Sequence, residues 1–475
     1  MKFALFYSLT VFALSVLALP VCAQSHTENI DKLMLAIHQN GQFMGAVLVA
    51  ENGKIIFEKG YGYADRQAKE KFTPATPCYI GSLSKQFTGA GIGMLKAKGV
   101  LDYSEPVRKY FPDLPAFYQP VTILDLLHHC SGLALFDDFP GMTEQDVYAI
   151  LQKQTALRFT PGEKFEYCNA NYTLLGMLIE KLSGKSLDAY LTEYVFKPCG
   201  MKNTYVDEPA VKGRKRAVGY YLFGDEYNTT TYIGGAASVV STVEDLYKWD
   251  QALYHPKFMA EETLAEMFTP GKQAWRNSVY GKMSYGFGWF ISGDHADSVQ
   301  QHDGGFAGFR SYIERQPLRH NTIIYVSNVR HSLKDSIRAA IRHILRDRPY
   351  SIPKISGANW IMQQAKEKDV AQAIREYKRV SSGSDSSRYY FSESECNTLG
   401  YYLMRNSRTA DAILFFELNA ERFPGSGNVF DSLGEAWLKA GNKEKALAAY
   451  KKALALNPDN KGAADIVKQL EQVDK

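Results

Sequence analysis

The spacing of apolar residues changes period several times along the chain, and each change predicts an element. Ile30, Leu33, Leu35 and Ile37 predict a helix from about Ile30 to Gln39. A hairpin is predicted next: an apolar strand from Ala46 to Ala50, a tight turn at Asn52-Gly53 and a return strand from Lys54 to Tyr63. From Ser82 to Lys96 the period is helical again, with Phe87, Ile92, Met94 and Leu95 prominent and Gly99 as the stop. Turns and short helices, among them Tyr172 to Leu182 and Glu244 to Leu253, are expected to about Tyr254. Strands return at Tyr285 to Ile291, Phe309 to Arg315 and Asn321 to Ser327, and a helix covers Ser332 to Leu345. Strands at both ends of a long helical insertion predict an α+β fold: one antiparallel sheet built from both ends, helices on its faces, and the insertion as a second lobe. Ligand sites favour such seams.

Beyond Leu345 the character changes. Arg348-Pro349-Tyr350-Ser351-Ile352-Pro353 reads as a linker. Leu399-Gly400, Ala412, Phe416 and Pro424 then recur as Leu433-Gly434, Ala446, Tyr450 and Pro458, every pair 34 positions apart. Trp437, Ala453 and Asn457-Pro458 sharpen the second copy. The period resembles that of tetratricopeptide repeats, helical hairpins whose small residues let paired helices approach closely. Ala373 and Tyr377 suggest a degenerate earlier half-repeat, interrupted by the Ser/Gly-rich run from Ser381 to Ser387. Two and a half repeats are few for an independent solenoid, so they are expected to pack on the preceding domain or on a protein partner.

The N-terminus reads as a secretory signal, with Lys2 for charge, an apolar run from Phe3 to Leu19, and Pro20-Val21-Cys22-Ala23 before a cut at Gln24. The run is near the minimum length of a membrane anchor, which is the alternative. Lipidation of Cys22 fits less well after Pro20 and Val21. The division expected is therefore a signal at 1–23, a main domain at 24–347, a linker and half-repeat at 348–390, and repeats at 391–470. An exported protein, periplasmic or extracellular and without a stable membrane anchor, follows from it. The net charge of +4 over 475 residues is too mild for a nucleic-acid partner. Lys212-Gly213-Arg214-Lys215-Arg216, the densest basic run, reads as an exposed loop. Without Cys22 five cysteines remain, an odd number at spacings that match no zinc site.

Candidate chemistry centres on Ser82-Leu83-Ser84-Lys85. Residues three apart share a helical face, so the Ser82 hydroxyl and the Lys85 amine point into one volume. A serine is a weak nucleophile until a base sits beside it. An N-cap serine followed by a solvated lysine would give the same tetrapeptide. Four later stretches discriminate. They are Leu126 to Leu133 (with His128 and His129), Pro161 to Asn169, Gly234 to Thr242, and His302 to Phe309.

In this order the motifs resemble the serine β-lactamase and penicillin-binding-protein-like family, in its class C branch of esterases and D-peptidases. Ser82-Leu83-Ser84-Lys85 corresponds to the first motif, Tyr167-Cys168-Asn169 to Tyr-x-Asn, and His302-Asp303-Gly304 to Lys-Thr-Gly or His-x-Gly. Pro161-Gly162 and Pro198-Cys199-Gly200-Met201 support the match, which runs from about Ile30 to Leu345. The resemblance implies a class C β-lactamase-like fold with Ser82 as nucleophile and Tyr167 sharing proton transfer with Lys85. It implies Asn169 holding Lys85 and a substrate amide, and the backbone N–H groups of Ser82 and Gly305 as oxyanion site. His302, Gly304 and Gly305 would line the substrate, and no metal or cofactor is needed. His128 and His129 are read as structural, near the site but outside it. Asp303 stands where the family has a hydroxyl. Facing the pocket, it would repel a substrate carboxylate, which favours small esters or D-amino-acid peptides over β-lactams. A true β-lactamase and a non-catalytic sensor acting through its repeats are the competing readings.

Overall fold

The computed structural model describes residues 25–136, 141–209, 213–220, 226, 231–254, 257–277, 281–292, 298–329, 333–365, 367–383 and 386–473. The signal run lies outside them. The described residues form two compact units, one of those up to 38 and from 43 to 352, the other of 39–42 and those from 353 onward.

The first unit opens with helix α1 (residues 25–39) and the hairpin β1 (Gly45–Glu51) and β2 (Lys54–Tyr61). Asn52 and Gly53 both take positive φ, 51° and 71°, as a two-residue turn matched to the strand twist requires. In α1 the buried stripe is Ile30, Leu33, Met34 and Ile37, whereas Leu35 is 40% exposed. A step of i, i+3, i+4, i+7 therefore replaces the expected position 35. Helices α2 (Ser84–Ala97), α3 (Asn169–Ser183) and α4 (Val243–Ala252) belong to the insertion.

The sheet is completed by β3 (Trp275–Asn277), β4 (Gly281–Tyr285), β5 (Phe290–Ser292), β6 (Val299–Phe306), β7 (Phe309–Gln316) and β8 (Asn321–Ser327). Its order is β2-β1-β8-β7-β6-β5-β4-β3, and every neighbouring pair is antiparallel. The predicted antiparallel sheet drawn from both ends of the domain is thus present, with β1 beside β8. Tyr285 to Ile291, expected as one strand, is instead the turn between β4 and β5 with their flanks. Gly288 explains the break: a Cβ there would stand 2.5 Å from the Gln86 nitrogen, so the turn presses on the start of α2.

Side chains alternate between the two sheet faces. Ala46, Leu48, Ile313, Ile324 and Val326 join a large core with α2, α3 and α4. Val47, Val49, Tyr312, Ile323 and Tyr325 pack with α1 and α5 (Lys334–Ile344). Of the basic run, Lys212 lies outside the described residues, Arg214 and Lys215 are exposed and Arg216 is half-buried; Arg214 pairs with Asp188 at 2.9 Å and Lys215 with Glu70 at 2.8 Å. Cys78, Cys130, Cys168, Cys199 and Cys396 are all unbridged.

The second unit is helical. Between α6 (Gly357–Gln364), α7 (Val370–Ser381) and α12 (Lys461–Val473) lie two hairpins, α8 (Glu393–Arg405) with α9 (Thr409–Arg422) and α10 (Gly427–Lys439) with α11 (Lys443–Leu456). One contact recurs at the repeat period: Gly400 against the Phe416 ring and Gly434 against the Tyr450 ring. Among the described residues no helix is long and apolar enough to cross a membrane.

Candidate active site

Ser82 sits in a single tight turn (Gly81–Leu83) that runs into α2. Gly81 has φ of 52°, and a Cβ on it would stand 2.7 Å from the nitrogen of Gly305. A Cβ on Gly304 would lie 2.0 Å from the carbonyl oxygen of Ile80, to which Ser311 also donates at 2.6 Å. These glycines let the Ser82 turn rest directly on β6, beside the Gly305 amide. The second serine of the motif is structural: Ser84 Oγ donates to the Gly81 carbonyl at 2.6 Å and accepts from the Val239 amide at 3.0 Å.

Lys85 lies in the first turn of α2 and is fully buried, while Ser82 is half-buried. The Lys85 ammonium donates to Ser82 Oγ at 3.2 Å, to Asn169 Oδ1 at 2.9 Å and to the carbonyl of Ala236 at 2.8 Å. It also lies 4.9 Å from the centre of the Tyr167 ring, within cation–π range. Ser82, Lys85, Tyr167 and Asn169, scattered over the sequence, are therefore one cluster. Ala236 joins them; sequence reasoning singled out its stretch, Gly234 to Thr242, but assigned this residue no role. Its contribution is a carbonyl, which no side chain encodes; the only available signal was Gly234-Gly235, two residues that let backbones approach.

The Tyr167-Cys168-Asn169 segment is anchored by His129. Its Nδ1 accepts from the Cys168 amide at 3.1 Å, and its carbonyl accepts from the Glu166 amide at 2.9 Å. Its ring lies 4.3 Å from that of Tyr167. Complete burial, reinforced by the charge of Lys85, holds His129 well below the usual histidine range and therefore neutral. The reading of His129 as a structural neighbour of the site fits this geometry.

His302 is 1% exposed. Its Nδ1 meets the carbonyl of Asp303 at 2.7 Å, and its Nε2 meets the hydroxyl of Tyr285 at 2.9 Å. A carbonyl only accepts, so Nδ1 carries a hydrogen, and in the neutral ring Nε2 accepts from Tyr285. His302 thus forms part of the wall behind Tyr167, 6.0 Å from it ring to ring, rather than an open substrate contact as expected. Gly304 is likewise covered, by Ile80, and only Gly305 opens to solvent.

Asp303 pairs across the ladder with Tyr312, on the sheet face of α1 and α5, opposite His302 and Ile313. Two residues either side on that face are Gln301, which takes a hydrogen bond from Arg338 at 3.3 Å, and Gly305, over which the Arg310 guanidinium lies. Asp303 is thus on the far face of β6, in a row with Gln301 and Gly305. Arg310, near the Gly305 amide, is a cation that motif reading did not single out.

A family model described as Beta-lactamase matches residues 30–347, and a Tetratricopeptide repeat model matches 428–460. Penicillin-binding protein 4* of Bacillus subtilis (strain 168) is 31% identical over 360 residues, which cover 70% of this chain and 78% of that protein. A putative penicillin-binding protein, PbpX, from the same organism is 30% identical over 62% of this chain and 72% of its own length. The crystal structure of a penicillin-binding protein from Bacillus halodurans superposes with a TM-score of 0.59 at 24% identity, covering 66% of this chain and 99% of that one.

Proposed function

The chain belongs to the β-lactamase family of serine hydrolases, and we propose that it is an exported enzyme cleaving small esters or D-amino-acid-containing amides through an acyl-enzyme on Ser82. The observation that carries this reading is the buried Lys85 ammonium, 3.2 Å from Ser82 Oγ and against the Tyr167 ring.

In the proposed reaction Ser82 Oγ bonds to the substrate carbonyl carbon and its proton passes to the Tyr167–Lys85 pair. Nearby positive charge favours the phenolate form that can take it. The resulting oxyanion meets the amides of Ser82 and Gly305. Collapse breaks the bond to the leaving group, which departs with the proton from Tyr167. Water then adds to the acyl carbon, giving its proton to the same pair, and Ser82 leaves with that proton restored. Asn169 holds Lys85 and offers its amide N–H to the substrate.

A true β-lactamase is the second reading. It is favoured by the far-face position of Asp303, opposite His302, where it does not oppose a substrate carboxylate beside His302. Two relatives are also named for penicillin binding.

The test is fluorophosphonate labelling of the mature protein beside Ser82→Ala, followed by p-nitrophenyl esters, D-alanyl peptides and nitrocefin. We expect an adduct on Ser82 that is lost in the variant. Absence of labelling on well-folded protein overturns the hydrolase reading. For the repeats we propose a protein partner; a full-length pull-down retaining nothing above background would sink that part.

A further inference from the structure

Beside Tyr167 lies a cleft of about 540 Å³, lined by Lys164, Phe165, Gln273, Ala274, Trp275 and Phe290. Its walls are aromatic. Phe165 and Trp275 stack at 4.2 Å with their planes 15° apart, and Phe290 stands edge-on to Trp275 at 5.9 Å. All three rings are only half-buried. The volume falls within the range of small-molecule sites.

The polar groups at the rim are already engaged. Lys164 lies 3.7 Å from the Glu166 carboxylate and over the Phe159 ring, and the Gln273 amide donates to the Gly162 carbonyl. A charged guest would lose its hydration without a free counter-charge, whereas an aromatic guest meets faces and edges suited to offset or edge-on contact. One wall of the cleft also borders the reacting centre: Phe290 stacks on Tyr167 at 6.2 Å and 18°, and lies 4.8 Å from His302.

We propose that this cleft is a binding subsite for an uncharged aromatic group carried on the leaving-group side of the substrate. The side follows from the proposed function, on which this part rests: the residue that protonates the leaving atom, Tyr167, is the one the cleft adjoins. The aromatic preference itself needs only the cleft.

The test begins with binding, which does not depend on turnover. Full-length Ser82→Ala protein is titrated with 2-phenylethyl acetate and with ethyl acetate by ligand-observed NMR. The aromatic ester is expected to bind about tenfold more tightly, the scale of one good aromatic contact. Adding Trp275→Ala should remove the difference, and Trp275→Phe, which keeps a ring, should retain most of it. Equal binding of the two esters, or a difference that survives Trp275→Ala, overturns the subsite. Turnover by active protein then reads the side: kcat/KM should favour 2-phenylethyl acetate over ethyl phenylacetate, and the reverse order overturns the leaving-group assignment. Selective binding without cleavage or Ser82 labelling would leave the cleft standing and the hydrolase reading fallen. Labelling and cleavage with no aromatic preference would do the opposite.

Discussion

The ammonium of Lys85 donates at 2.8 Å to the carbonyl of Ala236, 151 positions further along the chain. That bond ties the start of α2 to the turn Gly234–Ala236, whose own position is fixed from both neighbouring helices. Thr88 of α2 donates to the Gly235 carbonyl at 2.9 Å, and Thr173 of α3 donates to the Ile233 carbonyl at 3.0 Å. A Cβ on Gly235 would stand 2.7 Å from Thr88 Oγ1 and 2.8 Å from the Tyr172 carbonyl. The second of these is backbone inside a buried helix and has little room to move. Gly235→Ala is therefore expected to lower stability by about 1–3 kcal/mol, as overpacking does. It should also slow Ser82 labelling under conditions where the variant is folded. Chemical denaturation and labelling rate check the two parts, and wild-type values for both would remove Ala236 from the site.

Lys85→Met keeps the length of the side chain and deletes the ammonium. The folded core should survive, because an unbranched apolar chain fills the same space among buried neighbours. Fluorophosphonate labelling should fall by about 100-fold or more, the usual scale for losing a positioned acid–base group. A cooperative melt together with wild-type labelling would dismiss Lys85 from proton transfer.

Glu144 provides a pH-dependent term. Burial, helped by the nearby Glu180 and Glu208 carboxylates, pushes its carboxyl up to about 7 from the ordinary 4.5. Below pH 4.5 both the folded and the unfolded chain hold this proton. As pH rises from there through 7, the unfolded chain releases it first, so stability from this group is progressively lost. Glu144→Gln removes the titration. Relative to the wild type it should gain stability as pH rises, reaching about 3 kcal/mol at pH 8, with the difference vanishing near pH 4. Denaturant unfolding across that range checks the sign, and a pH-independent difference would reject it.

Much of this was legible because it was local. The hairpin turned by Asn52-Gly53 and the strand Asn321–Ser327 follow from short-range pattern, and the helix that presents Lys85 follows from its apolar spacing. What escaped was set by contacts between distant segments. Val299–Phe306 reads as a polar, glycine-containing run, yet it is a central strand because Gly304 fits against Ile80 and because β5 and β7 flank it. Tyr285 to Ile291 has strand-like composition, but the approach of Gly288 to Gln86 folds it into a turn. The faces of His302 and Asp303 depend on register with Ile313 and Tyr312, which no window of sequence contains.

The helical repeats allow a prediction in which the sign itself is tested. Replacing an interior helical glycine by alanine gains up to about 1 kcal/mol in helix propensity when the new methyl has room. At Gly462 in α12 it has room, since the nearest atom to a Cβ there is Asn460 Oδ1 at 3.5 Å. At Gly400 it does not: two atoms of the Phe416 ring lie 2.5 Å from the Cβ position. Gly434 is intermediate, with Tyr450 ring atoms at 2.9 to 3.0 Å. Parting two packed helices to admit a methyl costs roughly 1–3 kcal/mol, which exceeds the propensity gain at the tightest site. Gly462→Ala should therefore slow amide exchange in α12, by less than the full interior gain because it lies in the first helical turn. Gly400→Ala should speed exchange in α8 and α9, and Gly434→Ala should do so more weakly in α10 and α11. Hydrogen exchange followed by mass spectrometry resolves the three segments. Equal slowing in all three variants would mean that the small residues at the 34-residue period do not set the helix–helix distance.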